Sequence, residues 1–176
     1  MKRATIDKDR FVGDPNFVEI PIAKLTSKKY AHDVSQLIEN GEKAAVERLN
    51  PFYESKDTTQ VSVVDKEGNA FSMTHSLGMP SGVITEGLGF MYNGCMGVFD
   101  PRPGRAGSLS PGKSRFSSIC PSILFDQGKL KMVIGAPGGT HIVMGVLQAI
   151  LNVVDFKMSM QDAVSVPRFS GNSPLI

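Results

Sequence analysis

At Thr58 the chain changes character. The run Asp57-Thr58-Thr59-Gln60-Val61-Ser62-Val63-Val64-Asp65 opens a stretch in which apolar residues recur at every second position. Period two belongs to a strand, because successive side chains point to opposite faces. Val61 and Val63 lie on one side of Lys66-Glu67-Gly68-Asn69, and Phe71 and Met73 on the other, so the spacing predicts a hairpin. Upstream the pattern is different: residues 1–57 carry 20 Asp, Glu, Lys and Arg, whereas the following 119 carry 16. Two threonines stand at the junction. A threonine hydroxyl is a weak nucleophile without an adjacent base, and a chain cut before such a residue supplies one as the freed α-amine. An α-amine titrates near pH 8, so a useful fraction is neutral at physiological pH. A strand that merely begins with β-branched residues has the same local sequence.

The leader is punctuated by Asp14-Pro15 and Ile20-Pro21, which break helix, and residues 27–39 have helical spacing through Tyr30, Val34, Leu37 and Ile38. Residues 41–57, with Asn50-Pro51, read as a polar connector suited to a chain break. Beyond the first hairpin, residues 87–94 read as a strand, and Pro101 to Gly112 as a loop rich in Pro, Gly, Arg and Ser. Ser122–Phe125 and Leu130–Ile134 form a second hairpin around Asp126-Gln127-Gly128. Thr140–Val154 is helical with apolar residues on most sides, which predicts a helix buried between layers. A shorter helix, Ser159–Val164, ends at Val166-Pro167. Hairpins followed by a buried helix predict an antiparallel sheet covered by helices.

Composition narrows the function classes. A hydrophobic content of 41% and a charged content of 20% suit a globular core, and a net charge of +2 gives no reason to propose nucleic acid as a partner. No apolar stretch approaches the roughly 20 residues of a membrane span, and the charged Met1 end has no apolar run behind it, so no signal peptide is expected there. Cys95 and Cys120 lack metal-type spacing and read as core thiols, and His32, His75 and His141 are scattered, so no metal site and no cofactor are expected.

Two further segments carry chemistry. Ala136-Pro137-Gly138-Gly139-Thr140 lies between a strand and the buried helix. Its glycines permit a tight turn with outward N–H groups, suited to a carboxylate or an oxyanion. An ordinary strand-to-helix connection uses the same residues. Phe116-Ser117-Ser118-Ile119-Cys120-Pro121 sets two hydroxyls before a strand, where serines hydrogen-bond a carboxylate or simply cap a turn.

In order along the chain come Thr58-Thr59-x-x-Ser62-Val63-Val64-Asp65-x-x-Gly68-Asn69-Ala70, Ser117-Ser118-x-x-Pro121, Pro137-Gly138-Gly139 and Ala163-x-x-x-Pro167-Arg168-Phe169. This series resembles the gamma-glutamyltransferase family of the N-terminal-nucleophile hydrolases. Met1-Lys2-Arg3-Ala4 and Gly13-Asp14-Pro15 are similar to the end of that family's large subunit. The resemblance implies an α+β fold, part of a four-layer αββα sandwich. Residues 1–57 would close the large-subunit region, with its upstream part missing, and 58–176 would form the small-subunit catalytic region, incomplete at its C-terminal end. It implies a precursor cut between Asp57 and Thr58, with Thr58 as nucleophile, Gly138 and Gly139 as oxyanion donors, and Ser117 and Ser118 on the donor's α-carboxylate. Ser76 would orient the nucleophile, with Thr59 as a second hydroxyl beside it. The implied partners are glutathione or another γ-glutamyl amide as donor, and water, an amino acid or a peptide as acceptor. Any export signal or membrane anchor of such a protein would lie upstream of Met1.

The departures from that pattern bear on substrate. Where the family has an Asn, a Gln and an Asp that grip the donor's α-carboxylate and α-amino groups, this chain carries Gly78, Cys95 and Val98, with Asp100 close by. The segment between Phe99 and Ser117 is short against the family pattern and lacks the lid of some members, which implies an open cleft. Two alternatives follow: an acylase or amidohydrolase of the same superfamily acting on a non-glutamyl amide, and a non-catalytic fragment.

Overall fold

The computed structural model describes residues 1–46 and 57–171. These hold helices α1 (Lys2–Phe11), α2 (Ile22–Leu25) and α3 (Lys28–Glu39), then strands β1 (Thr58–Val64), β2 (Ala70–Ser76), β3 (Pro80–Ile84), β4 (Met91–Asn93), β5 (Ser122–Asp126) and β6 (Lys129–Ile134), and finally helices α4 (Ile142–Val154) and α5 (Met160–Ser165). The strands form three antiparallel pairs among the described residues: β1 with β2, β3 with β4, and β5 with β6. The chain divides into two compact units, Met1–Pro51 with Val98–Phe116 and Gly171–Ile176, and Phe52–Gly97 with Ser117–Ser170.

In the first unit, Ser27 caps α3 by accepting the Tyr30 N–H at 3.1 Å, and the Tyr30 hydroxyl donates to Asp7 at 2.8 Å, which ties α3 to α1. Asp14 joins the leader to the Pro- and Gly-rich loop. Its carboxylate is buried and accepts the backbone N–H of Ser114 at 2.7 Å and of Asn16 at 3.0 Å. The Ser114 bond, followed by the Asn16 bond, lowers its pKa, because a carboxylate that accepts N–H groups is favoured in its charged form. Beside it, a Cβ on Gly13 would come within 2.3 Å of the Ala106 carbonyl oxygen, so the close approach requires glycine.

The second unit holds all three strand pairs, two of which are closed by tight turns. Asp65 closes the β1–β2 turn by accepting the Glu67 and Asn69 N–H groups, both at 2.9 Å, and the register runs from Thr58 opposite Ser76 to Val64 opposite Ala70. The β5–β6 turn has positive φ at both Gln127 (49°) and Gly128 (78°), the conformation that suits the twist of a tight hairpin. The core lies where this hairpin meets the two helices. Met132, Val153 and Ala163 are buried there against Leu124, Ile134, Ile150 and Met158. Ser159 caps α5 through the Asp162 N–H at 3.1 Å.

Two expected elements differ. Residues 87–94 are not one strand: β3 pairs with the short β4, and the segment between them turns through Gly87 and Gly89 at φ 83° and 70°, values that an extended strand does not reach. α4 is not buried all round. It covers Ile142, Val146, Gln148, Ala149 and Val153, while Val143, Leu147, Leu151 and Val154 stay exposed, because β6 and α5 pack on one side only among the described residues. It also starts later than expected, since Gly139–His141 forms a 3₁₀ turn. Cys95 and Cys120 are free and half-buried, so neither is a core residue. Residues 47–56 of the expected connector lie outside the described residues.

Gln148 is the buried polar side chain on α4. Its amide nitrogen donates to the carbonyls of Met144 at 2.9 Å and Phe169 at 2.8 Å, and its oxygen accepts the Phe169 N–H at 3.0 Å. One side chain thus holds the segment after α5 as a strand neighbour would. Gln148→Ala strips the Phe169 N–H and C=O of both partners and should cost about 2–4 kcal/mol, read as a lowered midpoint in thermal or urea unfolding, whereas Gln161→Ala on the exposed face of α5 should change it little.

Candidate active site

The β1–β2 hairpin has one polar face. Because side chains alternate, Thr58, Gln60 and Ser62 point the same way, and their register partners Ser76, Thr74 and Ser72 join them. The opposite face carries Thr59, Val61 and Val63 across from His75, Met73 and Phe71, and the two valines, the phenylalanine and the methionine are exposed. The polar face is a connected network. The Gln60 amide nitrogen donates to Ser62 at 3.1 Å and Ser72 at 3.0 Å, and its oxygen accepts the Thr74 hydroxyl. Ser72 in turn donates to the Ile134 carbonyl at the end of β6, at 3.1 Å. The Gln60 amide also lies against Gly135, where an added Cβ would sit 2.2 Å from Oε1. Gly135 begins the segment that leads to Gly138 and Gly139, so this contact ties the hairpin to the glycine turn.

At the open end of the ladder stands Thr58. Its hydroxyl is 2.9 Å from that of Ser76, which donates to the Asp57 carbonyl oxygen at 3.1 Å and accepts the Gly78 N–H at 2.9 Å. A serine hydroxyl has one proton and two lone pairs. Either hydroxyl of this pair can donate to the other; when the Ser76 proton goes to the Asp57 oxygen, Ser76 accepts from Thr58. In that arrangement Ser76 polarises the Asp57 carbonyl and accepts the Thr58 proton. Thr59 lies on the other face and is exposed; its hydroxyl does not join the pair.

Gly138 and Gly139 adopt φ 132° and 55°, a region that disfavours any side chain. The Gly138 carbonyl accepts the His141 N–H at 3.0 Å, and the Gly139 carbonyl accepts the Ile142 N–H and, at 2.8 Å, the Ser118 hydroxyl. Among the described residues no acceptor pairs with the N–H of either glycine. Ser117 behaves differently from its neighbour: its oxygen accepts the Ile119 N–H at 3.2 Å. The structure therefore forms two close pairs from the predicted residues, Thr58 with Ser76 and Ser118 with Gly139, connected through Gln60 and Gly135.

Gly78 and Cys95 are packed on each other. Gly78 has φ 69°, and a Cβ there would fall 2.8 Å from the Cys95 Sγ, which itself donates to the Leu77 carbonyl at 3.4 Å. Asp100 belongs to the other compact unit, where Arg102 donates to both of its carboxylate oxygens at 2.8 and 2.7 Å and Arg105 stands 4.0 Å away. The Arg102 hydrogen bond is the main reason its pKa falls to about 2.

Sequence reading did not single out the polar network or the cleft along α4. That cleft is lined by Ala136, Pro137, His141, Arg168, Phe169 and Ser170, with His141 Nδ1 3.0 Å from the Ser170 hydroxyl. The alternation Thr58-x-Gln60-x-Ser62 against Ser72-x-Thr74-x-Ser76 was the available signal for the network.

Compared with known families, residues 1–174 match Gamma-glutamyltranspeptidase. The chain belongs to this family. It is 36% identical over 185 residues to the glutathione hydrolase proenzyme of Pseudomonas sp. (strain A14), covering 96% of this chain and 32% of that protein. It is also 38% identical over 170 residues to the acylase ACY 1 proenzyme of Pseudomonas sp. (strain SE83), covering 96% of this chain and 30% of that one. The chain thus spans about a third of the length of these relatives. Among solved structures, a mutant gamma-glutamyltranspeptidase of Helicobacter pylori superposes with a TM-score of 0.59 at 36% identity, over 64% of this chain and 67% of that one. The fold class is accordingly α+β, part of the N-terminal-nucleophile hydrolase sandwich.

The Asp100 pair makes a prediction about acid stability. Its folded pKa lies below the ordinary 3.8, so its contribution is complete above that value and is lost as pH falls through about 2. Arg102→Ala should return the pKa towards 3.8 and lower stability at neutral pH. The variant should then lose less further stability than the parent between pH 4 and pH 2, as read by urea unfolding at stepped pH.

Proposed function

We propose that the full-length protein is a self-processing γ-glutamyl acyltransferase and hydrolase. The Thr58 oxygen attacks the Asp57 carbonyl carbon, the Asp57–Thr58 C–N bond breaks, and the Asp57 acyl group passes to the Thr58 oxygen while its nitrogen takes the proton. Water then hydrolyses this ester, leaving an Asp57 carboxylate and a Thr58 with a free hydroxyl and a free α-amine. In turnover the α-amine accepts the hydroxyl proton as Thr58 attacks the γ-amide carbon of a donor such as glutathione. The amine leaves with that proton, and the acyl group goes to water, an amino acid or a peptide. Gly138 and Gly139 offer N–H groups to the oxyanion, and the Ser117-Ser118 segment holds the donor's α-carboxylate. One observation supports the reading above all: the Ser76 hydroxyl lies within hydrogen-bond reach of both the Thr58 hydroxyl, at 2.9 Å, and the Asp57 carbonyl, at 3.1 Å.

Thr58→Ala should abolish both self-cleavage and turnover, since one hydroxyl serves both, and Thr58→Ser should retain part of each. Intact-mass measurement of the full-length protein for a new N-terminus at Thr58 reads the first step, and an alanine variant that still splits in two removes Thr58 from this role.

A second reading, an acylase of the same family acting on an amide without an α-amino group, draws support from the Gly78–Cys95 packing. The Cys95 sulfur occupies the space a side chain at Gly78 would need. A thiol and a bare α-carbon give an ammonium group no charged partner. The test compares γ-glutamyl-p-nitroanilide with glutaryl-p-nitroanilide, which lacks only the amino group. A site with a buried partner for that group rejects the analogue by roughly 10⁴-fold, an unspecialised pocket by about 10- to 200-fold. The expected kcat/KM ratio lies in the lower range, and strict dependence on the amino group would exclude the acylase reading.

A further inference from the structure

We infer that His141 and Ser170 are positioning residues for the glycine turn: their side-chain bond ties that turn to the segment after α5 and sets the direction of the Gly139 N–H. The catalytic use of that N–H rests on the γ-glutamyl reading, whereas the tie itself rests on the hydrogen bonds alone.

The geometry begins with one peptide plane. A trans peptide points its C=O and N–H in opposite directions, so the bond that fixes the Gly138 carbonyl also fixes the Gly139 N–H. The Gly138 carbonyl accepts the His141 N–H at 3.0 Å. Gly138 and Gly139 stand at φ 132° and 55°, and glycine has the widest choice of backbone conformations of any residue. The 3₁₀ turn Gly139–His141 is short, with little hydrogen bonding of its own to oppose that freedom. The direction of the Gly139 N–H therefore depends on how the His141 backbone is held.

His141 is held from two sides. Its backbone leads directly into α4, which starts at Ile142. Its ring Nδ1 is 3.0 Å from the Ser170 hydroxyl. A serine hydroxyl both donates and accepts, so this bond forms with either tautomer of the ring. The segment that carries Ser170 is itself fastened. The Arg168 guanidinium donates to the Val164 carbonyl at 2.6 Å. Phe169 donates its N–H to the buried Gln148 amide oxygen at 3.0 Å and accepts from the Gln148 nitrogen at 2.8 Å. Rotation of the turn would thus break the His141–Ser170 bond or drag a segment anchored at the two preceding residues. Oxyanion donors act by being aimed before charge develops, and this tie keeps the Gly139 N–H aimed.

The experiment uses the full-length protein with γ-glutamyl-p-nitroanilide. Ser170→Ala should lower kcat by about 10- to 100-fold, the scale of a small misplacement of catalytic groups. KM should change little, because an oxyanion contact is made in the transition state and not in the bound donor. Ser170→Thr, which keeps the hydroxyl, should restore most of the rate. His141→Asn should likewise exceed His141→Ala, since its amide reaches the place of Nδ1. The double variant His141→Ala/Ser170→Ala should lose no more than the worse single variant, as two ends of one bond do. The inference is overturned if Ser170→Ala leaves kcat intact, or if the double variant loses the product of the two single losses. A parent protein without activity on this donor refutes the γ-glutamyl reading without touching the tie. Amide hydrogen exchange then decides the latter: the His141 N–H should exchange faster in Ser170→Ala than in the parent, while the Asn69 N–H of the β1–β2 turn, bonded to Asp65, keeps its rate. An unchanged His141 rate, or equal acceleration of both amides, overturns the tie.

Discussion

The arrangement of the second unit depends on the Gln60 amide meeting the bare α-carbon of Gly135. Gln60 is two residues from Thr58 on the same face of β1, and Gly135 is the first residue past β6. The contact therefore fixes the strand that carries the hydroxyl pair against the strand that feeds the glycine turn. Its cohesion is polar: hydroxyls of Ser62, Ser72 and Thr74 surround the amide, and Ser72 reaches the Ile134 carbonyl. Satisfied networks of this kind specify one arrangement more sharply than apolar contact does, because a slipped register leaves several polar groups unpaired at once.

The apolar core sits elsewhere, under α4, around Met132, Val153 and Ala163. The two kinds of cohesion are joined by β6, whose Met132 is buried in that core and whose last residue, Ile134, accepts the Ser72 bond. Above it, Gln148 fastens the segment after α5 to the same helix, bringing Ser170 to His141 beside the glycine turn. The site region is thus bounded by side-chain amides at two places, Gln60 and Gln148, each donating and accepting at once.

How much of this was legible varied with the range of the interactions. The β1–β2 and β5–β6 hairpins were readable because alternation and turn chemistry are both local: Asp65 with Gly68 at one turn, Gln127 with Gly128 at the other. β3 was missed because Pro80 and Gly82 depress the strand signal, and its pairing with β4 is irregular. The exposed side of α4 was illegible because Val143, Leu147, Leu151 and Val154 are as apolar as the residues it buries, so the sequence holds no contrast between faces. That the Thr58 and Ser76 hydroxyls meet was implied only by the family resemblance, since no local rule pairs two hydroxyls at opposite ends of a hairpin. The Ser118 bond to Gly139 and the Asp14 bond to Ser114 join residues far apart in sequence. Nothing in the flanking residues announces either one.

The pair Thr58 and Ser76 is the terminal rung of the β1–β2 ladder. A break in the backbone before Thr58 consequently removes no rung, and of the bonds around Ser76 only the one to the Asp57 oxygen depends on the severed linkage. Covalent continuity and folded architecture are decoupled at this point. The new chain end would inherit a strand already in register, and the hydroxyl that faced the lost carbonyl would be left with its neighbours in place and its proton unassigned.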